Sequence, residues 1–243
     1  GGEGEAGAGG GGGRGGGRGA GAPGGARTAP AALVPVWLAV ACGGTVDKDY
    51  PRGRGGYAFE FGDEPALRRV FGGVRALQPP GGPLPASSPG GFREVAVAGF
   101  PKDSLEVTPD DRERLAATLK GAVASALDGL PDPRLGHARV LITHGTDTLI
   151  ETARFLAVSE LFSGPPWTHP TVVLTGARRP ERFNNSDAPV NLGLAVGALH
   201  ALPAGVYIAI DLQVFPHDRV RRTEEGHFLG AHGGILGWDA GAE

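Results

Sequence analysis

Three short stretches of this sequence concentrate glycines, hydroxyls and charges in patterns that can do chemistry. The first is Gly43-Gly44-Thr45-Val46-Asp47-Lys48-Asp49-Tyr50. Two glycines let the backbone approach a ligand closely and leave amide N–H groups free. A hydroxyl directly after them can attack a carbonyl if a neighbour takes its proton, and Tyr50 is placed to do so. The plainer reading is a strand-to-loop turn with a capping threonine. The second stretch is Thr143-His144-Gly145-Thr146-Asp147-Thr148. Thr146 or Asp147 can cap a following helix, but a cap needs one such residue, not four polar groups in a row. Asp147 beside a helix N-terminus favours its charged form and can hold an ammonium group. His144 reads as structural. The third stretch is Thr175-Gly176-Ala177-Arg178-Arg179-Pro180, followed by Asn184-Asn185-Ser186-Asp187. Its plainer reading is a solvated loop ending in a helix cap at Ser186.

The elements that must position these stretches follow from periodicity. Val34–Ala41 is a short apolar run leading into the first cluster and reads as a buried strand. Asp63-Glu64-Pro65 opens a short helix to about residue 74, with Asp63 as its cap and Pro65 in the first turn. Residues 78–91, rich in Pro, Gly and Ser, read as a loop. Val95–Phe100 alternates weakly and reads as a strand. Thr108 caps a helix to about Leu127 that sets Leu115, Leu119, Val123 and Leu127 on one face. Then a strand–turn–helix unit repeats: strand Val140–Thr143, helix Asp147–Phe162, strand Val172–Thr175, helix Ser186–Ala201, strand Val206–Ile210. Apolar strands alternating with amphipathic helices predict an α/β fold: three layers, with a mainly parallel sheet covered on both faces. Ligands bind beyond the carboxyl ends of such strands, and all three polar stretches fall there.

Composition sets the outer limits. The chain has 243 residues, a net charge of −3 and 40% hydrophobic residues, enough for one substantial core. This balance argues against nucleic acid or an anionic membrane as partner. No apolar run approaches the roughly 20 residues of a membrane span. The single cysteine, Cys42, excludes an intrachain disulfide and fits a reduced, cytoplasmic protein. Residues 1–30 hold 16 of the 44 glycines and read as a disordered tail, too poor in apolar surface to offset the entropy of ordering. The domain is expected over residues 34–230, with 231–243 a C-terminal segment read as cut short. Methionine is absent even at position 1, which points to a fragment or a processed chain.

Five strings, in order, carry a resemblance: GGTVDKDY, KDSLEVTPDDR, VLITHGTDTLIETARFL, VVLTGARRPERFNNSDAPVNLGLAVGAL and GVYIAIDLQVFPHDRVRR. Together they resemble the N-terminal domain of bacterial-type L-asparaginases, and the first string and RFNNSD are most similar to the short, single-domain branch. The resemblance implies the asparaginase N-terminal-domain fold, no cofactor and no metal. It also implies hydrolysis of L-asparagine, with L-glutamine the alternative substrate, through a threonine acyl-enzyme in a homo-oligomer. It assigns Thr45 as nucleophile, Tyr50 as the loop tyrosine paired with it, and Thr146 as the second catalytic threonine. Ser104 falls to the substrate's α-carboxylate and Asp147 to its α-ammonium.

Two departures stand out. The turn opens with Cys42 where threonine is usual, and Cys42 reads as a packing residue. The resemblance also puts a catalytic lysine six residues before Gly176, where this chain has Pro170. With no lysine after residue 120, a second function stays open: a catalytically impaired homologue that binds aspartate or asparagine, or serves as an interaction module.

Overall fold

The computed structural model describes Gly1 and residues 33–49, 59–73, 92–165 and 168–230. The readings made for residues 1–30, for the loop 78–91, for the segment 231–243 and for Tyr50 lie outside the described residues. By their contacts the residues fall into two units, Gly1–Ala31 and Ala32–Glu243, and the fold below belongs to the second.

Its centre is a six-stranded sheet in the order β4-β1-β5-β6-β7-β8. The strands are β1 (Val34–Ala41), β4 (Arg93–Glu94), β5 (Gly136–Thr143), β6 (Thr171–Thr175), β7 (Gly205–Ile210) and β8 (Gln213–Pro216). All neighbours pair parallel except β7 and β8. The helices are α1 (Ala66–Gly73), α2 (Pro109–Asp128), α3 (Leu149–Val158) and α4 (Ala188–Ala201). Two small antiparallel pairs complete the described elements: β2 (Lys48–Asp49) with β3 (Glu60–Phe61), and β9 (Val220–Arg222) with β10 (Phe228–Gly230).

The alternation of the strands sorts side chains to two cores. On one face Leu38, Val40, Val140, Ile142, Val172 and Leu174 pack under α2 and α3, and Leu115, Leu119, Val123 and Leu127 of α2 are buried there together. On the other, Trp37, Ala39, Leu141 and Val173 pack under α1 and α4. Three layers result, as the periodicity predicts. The crossovers β5–α3–β6 and β6–α4–β7 step the same way across the sheet but lie on opposite faces. They therefore have opposite hands, and one of them breaks the right-handed rule for parallel strands.

Local signals account for most boundaries and fail at a few. α2 starts with a full capping box between Thr108 and Asp111. At the start of α4 the N-cap position falls on Asp187, not on Ser186 as expected, although Ser186 Oγ accepts from Ala188 N at 3.0 Å. The strand expected over Val95–Phe100 does not form; the strand here is β4, just before it, because the chain pairs in register only with Leu38 and Ala39 and turns at Gly99 (φ 87°). The helix expected from Asp63 begins at Ala66, and its first amide is capped by Asp47 Oδ1 at 2.6 Å, not by Asp63.

Candidate active site

The three polar stretches meet at the carboxyl ends of β1, β5 and β6, and glycines let them meet. Gly43 bridges Lys102, and a methyl group on Gly43 would sit 2.6 Å from the Lys102 carbonyl oxygen. Gly44 (φ 78°) lies so close to Gly145 that a Cβ on it would collide with that backbone. A Cβ on Gly145 would sit 2.5 Å from that of Ser104, and one on Gly176 would strike the His144 carbonyl and approach the Thr146 methyl at 3.4 Å. Backbone bonds lock the same arrangement: Cys42 N donates to Thr143 O at 2.8 Å, Gly44 N to Lys102 O at 2.9 Å and His144 N to Thr175 O at 2.9 Å. Only residues without side chains allow three loops to pack this closely.

The segments that carry four of the five sequence-derived residues meet here. Thr45 opens a 3₁₀ turn, Thr45–Asp47, and lines a cleft of about 280 Å³ with Lys48, Phe59, Arg178, Arg179 and Phe183. Ser104 is 2% exposed, and its Oγ donates to Asp147 Oδ2 at 3.2 Å. Thr148 Oγ1 donates to the Ser104 carbonyl at 2.7 Å, fastening the second stretch to the Ser104 turn. Thr146 is buried between Gly176 and this pair. Tyr50, the fifth, lies outside the described residues.

His144 has the structural role read from the sequence. Its Nδ1 donates to Gly145 O at 2.8 Å and its Nε2 accepts from Thr152 Oγ1 at 3.0 Å. Burial pushes its pKa down to about 4, so it is neutral at physiological pH. Cys42 is fully buried in the core, and burial, with the nearby Asp47 charge, raises its thiol far out of the reactive range.

These strand ends are shared with proteins of known fold. A family model, "Asparaginase, N-terminal", matches residues 38–230. The chain belongs to the asparaginase family. An L-asparaginase of Thermococcus kodakarensis is 34% identical over 128 residues, 53% of this chain and 33% of that protein. A glutaminase-asparaginase of Acinetobacter glutaminasificans is 33% identical over 104 residues, 42% of this chain and 29% of that protein. The match thus spans about a third of each of these relatives. Among solved structures, the thermostable L-asparaginase of Thermococcus kodakarensis superposes with a TM-score of 0.57 at 27% identity, covering 82% of this chain and 52% of that one. L-asparaginase I of Vibrio cholerae shares the fold, with a TM-score of 0.54 at 20% identity over 82% of this chain and 52% of that one.

For this asparaginase-family chain, the structure corrects one reading. Pro170 precedes β6, and its carbonyl accepts from Gly205 N at the amino end of the sheet. Thr175, at the other end of β6, pairs with Thr143, just before the second polar stretch. Five residues of strand span about 16 Å, farther than any side chain reaches. A lysine at position 170 could not touch Thr146, so the proline there says nothing about catalysis. Among the described residues, the cation that pairs with Asp147 is Arg222 of β9, whose Nη2 lies 3.0 Å from Asp147 Oδ1. Both carboxylate oxygens of Asp147 are thereby engaged, one by Ser104 and one by Arg222.

Two more residues escaped the sequence reading. Lys48 Nζ pairs with Asp103 at 2.5 Å and ties the Thr45 turn to the Ser104 turn. That bond, above all, draws the Asp103 carboxyl below its ordinary range, burial working against it. Asp47 is the other. It is 4% exposed, and burial lifts its pKa to about 6 against the Ala66 amide and the Arg69 charge.

Proposed function

We propose that this chain carries the nucleophile-bearing part of an amidohydrolase that converts L-asparagine to L-aspartate and ammonia, with L-glutamine as a lesser substrate. The observation that carries the reading is the convergence of the Thr45, Ser104 and Thr146–Asp147 segments through glycine contacts, with Asp147 held between Ser104 and Arg222. In this reading Thr45 Oγ attacks the side-chain amide carbon while its proton passes to Tyr50. Backbone N–H groups of the glycine turn stabilise the oxyanion, the C–N bond breaks, and ammonia leaves with a proton. Water then cleaves the threonyl ester to release aspartate. Ser104 holds the α-carboxylate, and Asp147 has lone pairs left for the α-ammonium beside its bond to Arg222. Thr146 lies on the inner side and relays the proton. Arg222 orients Asp147 through the ion pair between them.

The lone, buried cysteine supports a cytoplasmic setting. A homo-oligomer is part of the same proposal, by the family resemblance; a strict monomer by light scattering would remove that part.

The decisive measurement is ammonia release from L-asparagine by the parent and by Thr45→Ala. The expected result is turnover in the parent and a loss of about 10³-fold or more in the variant. A parent as inert as Thr45→Ala sinks the enzyme reading. If that inert parent still binds aspartate, the catalytically impaired binding module takes its place.

A further inference from the structure

The turn that carries Thr45 is held from behind by a buried group of charges. Asp47 Oδ1 accepts from Ala66 N at 2.6 Å, nineteen residues away in sequence. Its carbonyl accepts from Gly62 N at 3.1 Å, and the neighbouring Val46 carbonyl accepts from Glu181 N at 3.2 Å. Val46 itself packs with Ala66, Ala177 and Ala188, one residue each from α1, the loop after β6 and α4. Arg69 of α1 pairs with Glu181 at 2.7 Å and sits within Coulomb range of Asp47. The charged and titratable groups facing Asp47 are therefore Arg69 from α1, Glu181 from the loop after β6 and Cys42 from the end of β1.

This arrangement is costly as pure scaffolding. Among the described residues, Asp47 Oδ2 and Arg69 Nη2 are both buried with no hydrogen-bond partner. A buried polar atom left unpaired destabilises the fold, and a neutral asparagine or serine would cap Ala66 as well. The turn also needs holding, because it is a thin wall. Thr45 faces the 280 Å³ cleft, while Asp47 lines a separate, mostly apolar cavity of about 380 Å³ with Phe61, Leu67, Val97 and Phe100.

We propose that Asp47 is a positioning residue for the Thr45 hydroxyl: by pinning the 3₁₀ turn to the first turn of α1, it fixes where Thr45 points. The proposal rests on Thr45 being the nucleophile. Asp47 never meets substrate; it acts through Val46, the one residue that separates it from Thr45. Displacing the turn by a fraction of an ångström would move the attacking oxygen off line, which lowers kcat more than it raises KM.

The test compares the parent, Asp47→Asn, Asp47→Ala and Thr45→Ala in the full chain, per mole of folded protein. Asp47→Ala is expected to lose at least tenfold in kcat with KM within threefold. Asp47→Asn, which keeps the acceptor for Ala66, is expected to recover most of that loss. Exchange of the Ala66 amide with deuterium is expected to speed up in Asp47→Ala and not in Asp47→Asn. If Asp47→Ala turns over within twofold of the parent, the proposal is overturned. It is overturned equally if asparagine restores nothing relative to alanine. Should the alanine variant fail to fold, a loss of tenfold or more in kcat in Asp47→Asn, which keeps the acceptor, overturns it. A parent no faster than Thr45→Ala marks failure of the nucleophile reading instead, and unchanged Ala66 exchange then rejects the pin as well.

Discussion

The two ends of β5 present similar chemistry to opposite fates. At the carboxyl end, Thr143-His144-Gly145-Thr146-Asp147 runs into α3, and its polar groups are met by others from β6, the Ser104 turn and β9. At the amino end, His137 and Arg139 lie beside Trp37 and the last turn of α4. There the guanidinium stacks over the Trp37 ring at 5.7 Å, but Arg139 Nε, Arg139 Nη1 and Trp37 Nε1 are buried without hydrogen-bond partners among the described residues. No carboxylate pairs with Arg139 among the described residues, and burial lowers its pKa. One end is a network in which charges and donors answer each other across four segments. The other is a cation on an apolar wall, eased only by an aromatic face and the negative end of a helix dipole. Polar density alone does not mark a site; convergence from several strand ends does.

The largest effect is expected from breaking that convergence. Gly145→Ala puts a methyl group 2.5 Å from the Ser104 Cβ, against backbone that has no room to yield. The Ser104 turn must move, and it carries Asp103 and Lys102 with it. We expect a loss of about 3 kcal/mol in urea unfolding, at the upper end of overpacking costs, together with loss of turnover. A stable, fully active Gly145→Ala would mean that the close approach of these loops is incidental.

A smaller effect separates the ends by charge. Arg222→Ala removes the cation from Asp147 at the carboxyl end and is expected to cost about tenfold in kcat, or ~1.4 kcal/mol on the barrier. Arg222→Lys should recover part of it, since the charge remains while the forked geometry is lost. Pro170→Lys adds a cation at the amino end and is expected to change kcat by less than twofold. If Pro170→Lys raises turnover tenfold while Arg222→Ala is silent, the assignment of ends is wrong.

Much of this could be read from sequence, for identifiable reasons. The sheet and its two covered faces follow from apolar strands alternating with helices, and β1, β5, β6 and β7 contain the predicted strands. Thr45, Thr146 and Asp147 belong to contiguous polar stretches at strand ends, whereas Ser104 comes from the family resemblance alone. Arg222 could not be read this way. It sits on a three-residue strand whose pairing partner, β10, is equally short, and it reaches Asp147 from 75 positions later in the chain. β8 was hidden for a similar reason. Its hairpin turns on Asp211 (φ 54°) and Leu212 (φ 62°), and only the first has the chemistry of a left-handed residue. Asp211 tolerates that strain while it pairs with Arg178 and accepts from Phe228 N at 3.1 Å. The cap of α1 comes from Asp47, so Asp63 misled because capping was sought locally. Pro170 misled differently: counting from a motif gives a position, but strand direction decides which end of the sheet it occupies.

The smallest expected effect sharpens the comparison at the amino end. Arg139→Leu keeps an apolar stem over Trp37 and removes a charge that nothing nearby balances. It gives up a cation–π contact worth about 0.5–1 kcal/mol and a helix-dipole interaction worth about 0.3–1 kcal/mol. Against these stands relief from desolvating an unpaired guanidinium, a cost of several kcal/mol that is only partly incurred here because Arg139 is half-buried. The balance predicts a change between neutral and about 1 kcal/mol of added stability, read from the urea midpoint at constant m. A second readout is independent of that balance. Burial first, and then the Arg139 charge, lowers the pKa of both His137 and His200. Removing the charge should let both move upward in an NMR titration, while His144 at the far end of the strand stays neutral and unmoved. A leucine variant that loses more than about 1 kcal/mol, with both histidines unshifted, would mean the arginine has a partner that evens the two ends, and the contrast drawn between them would not stand.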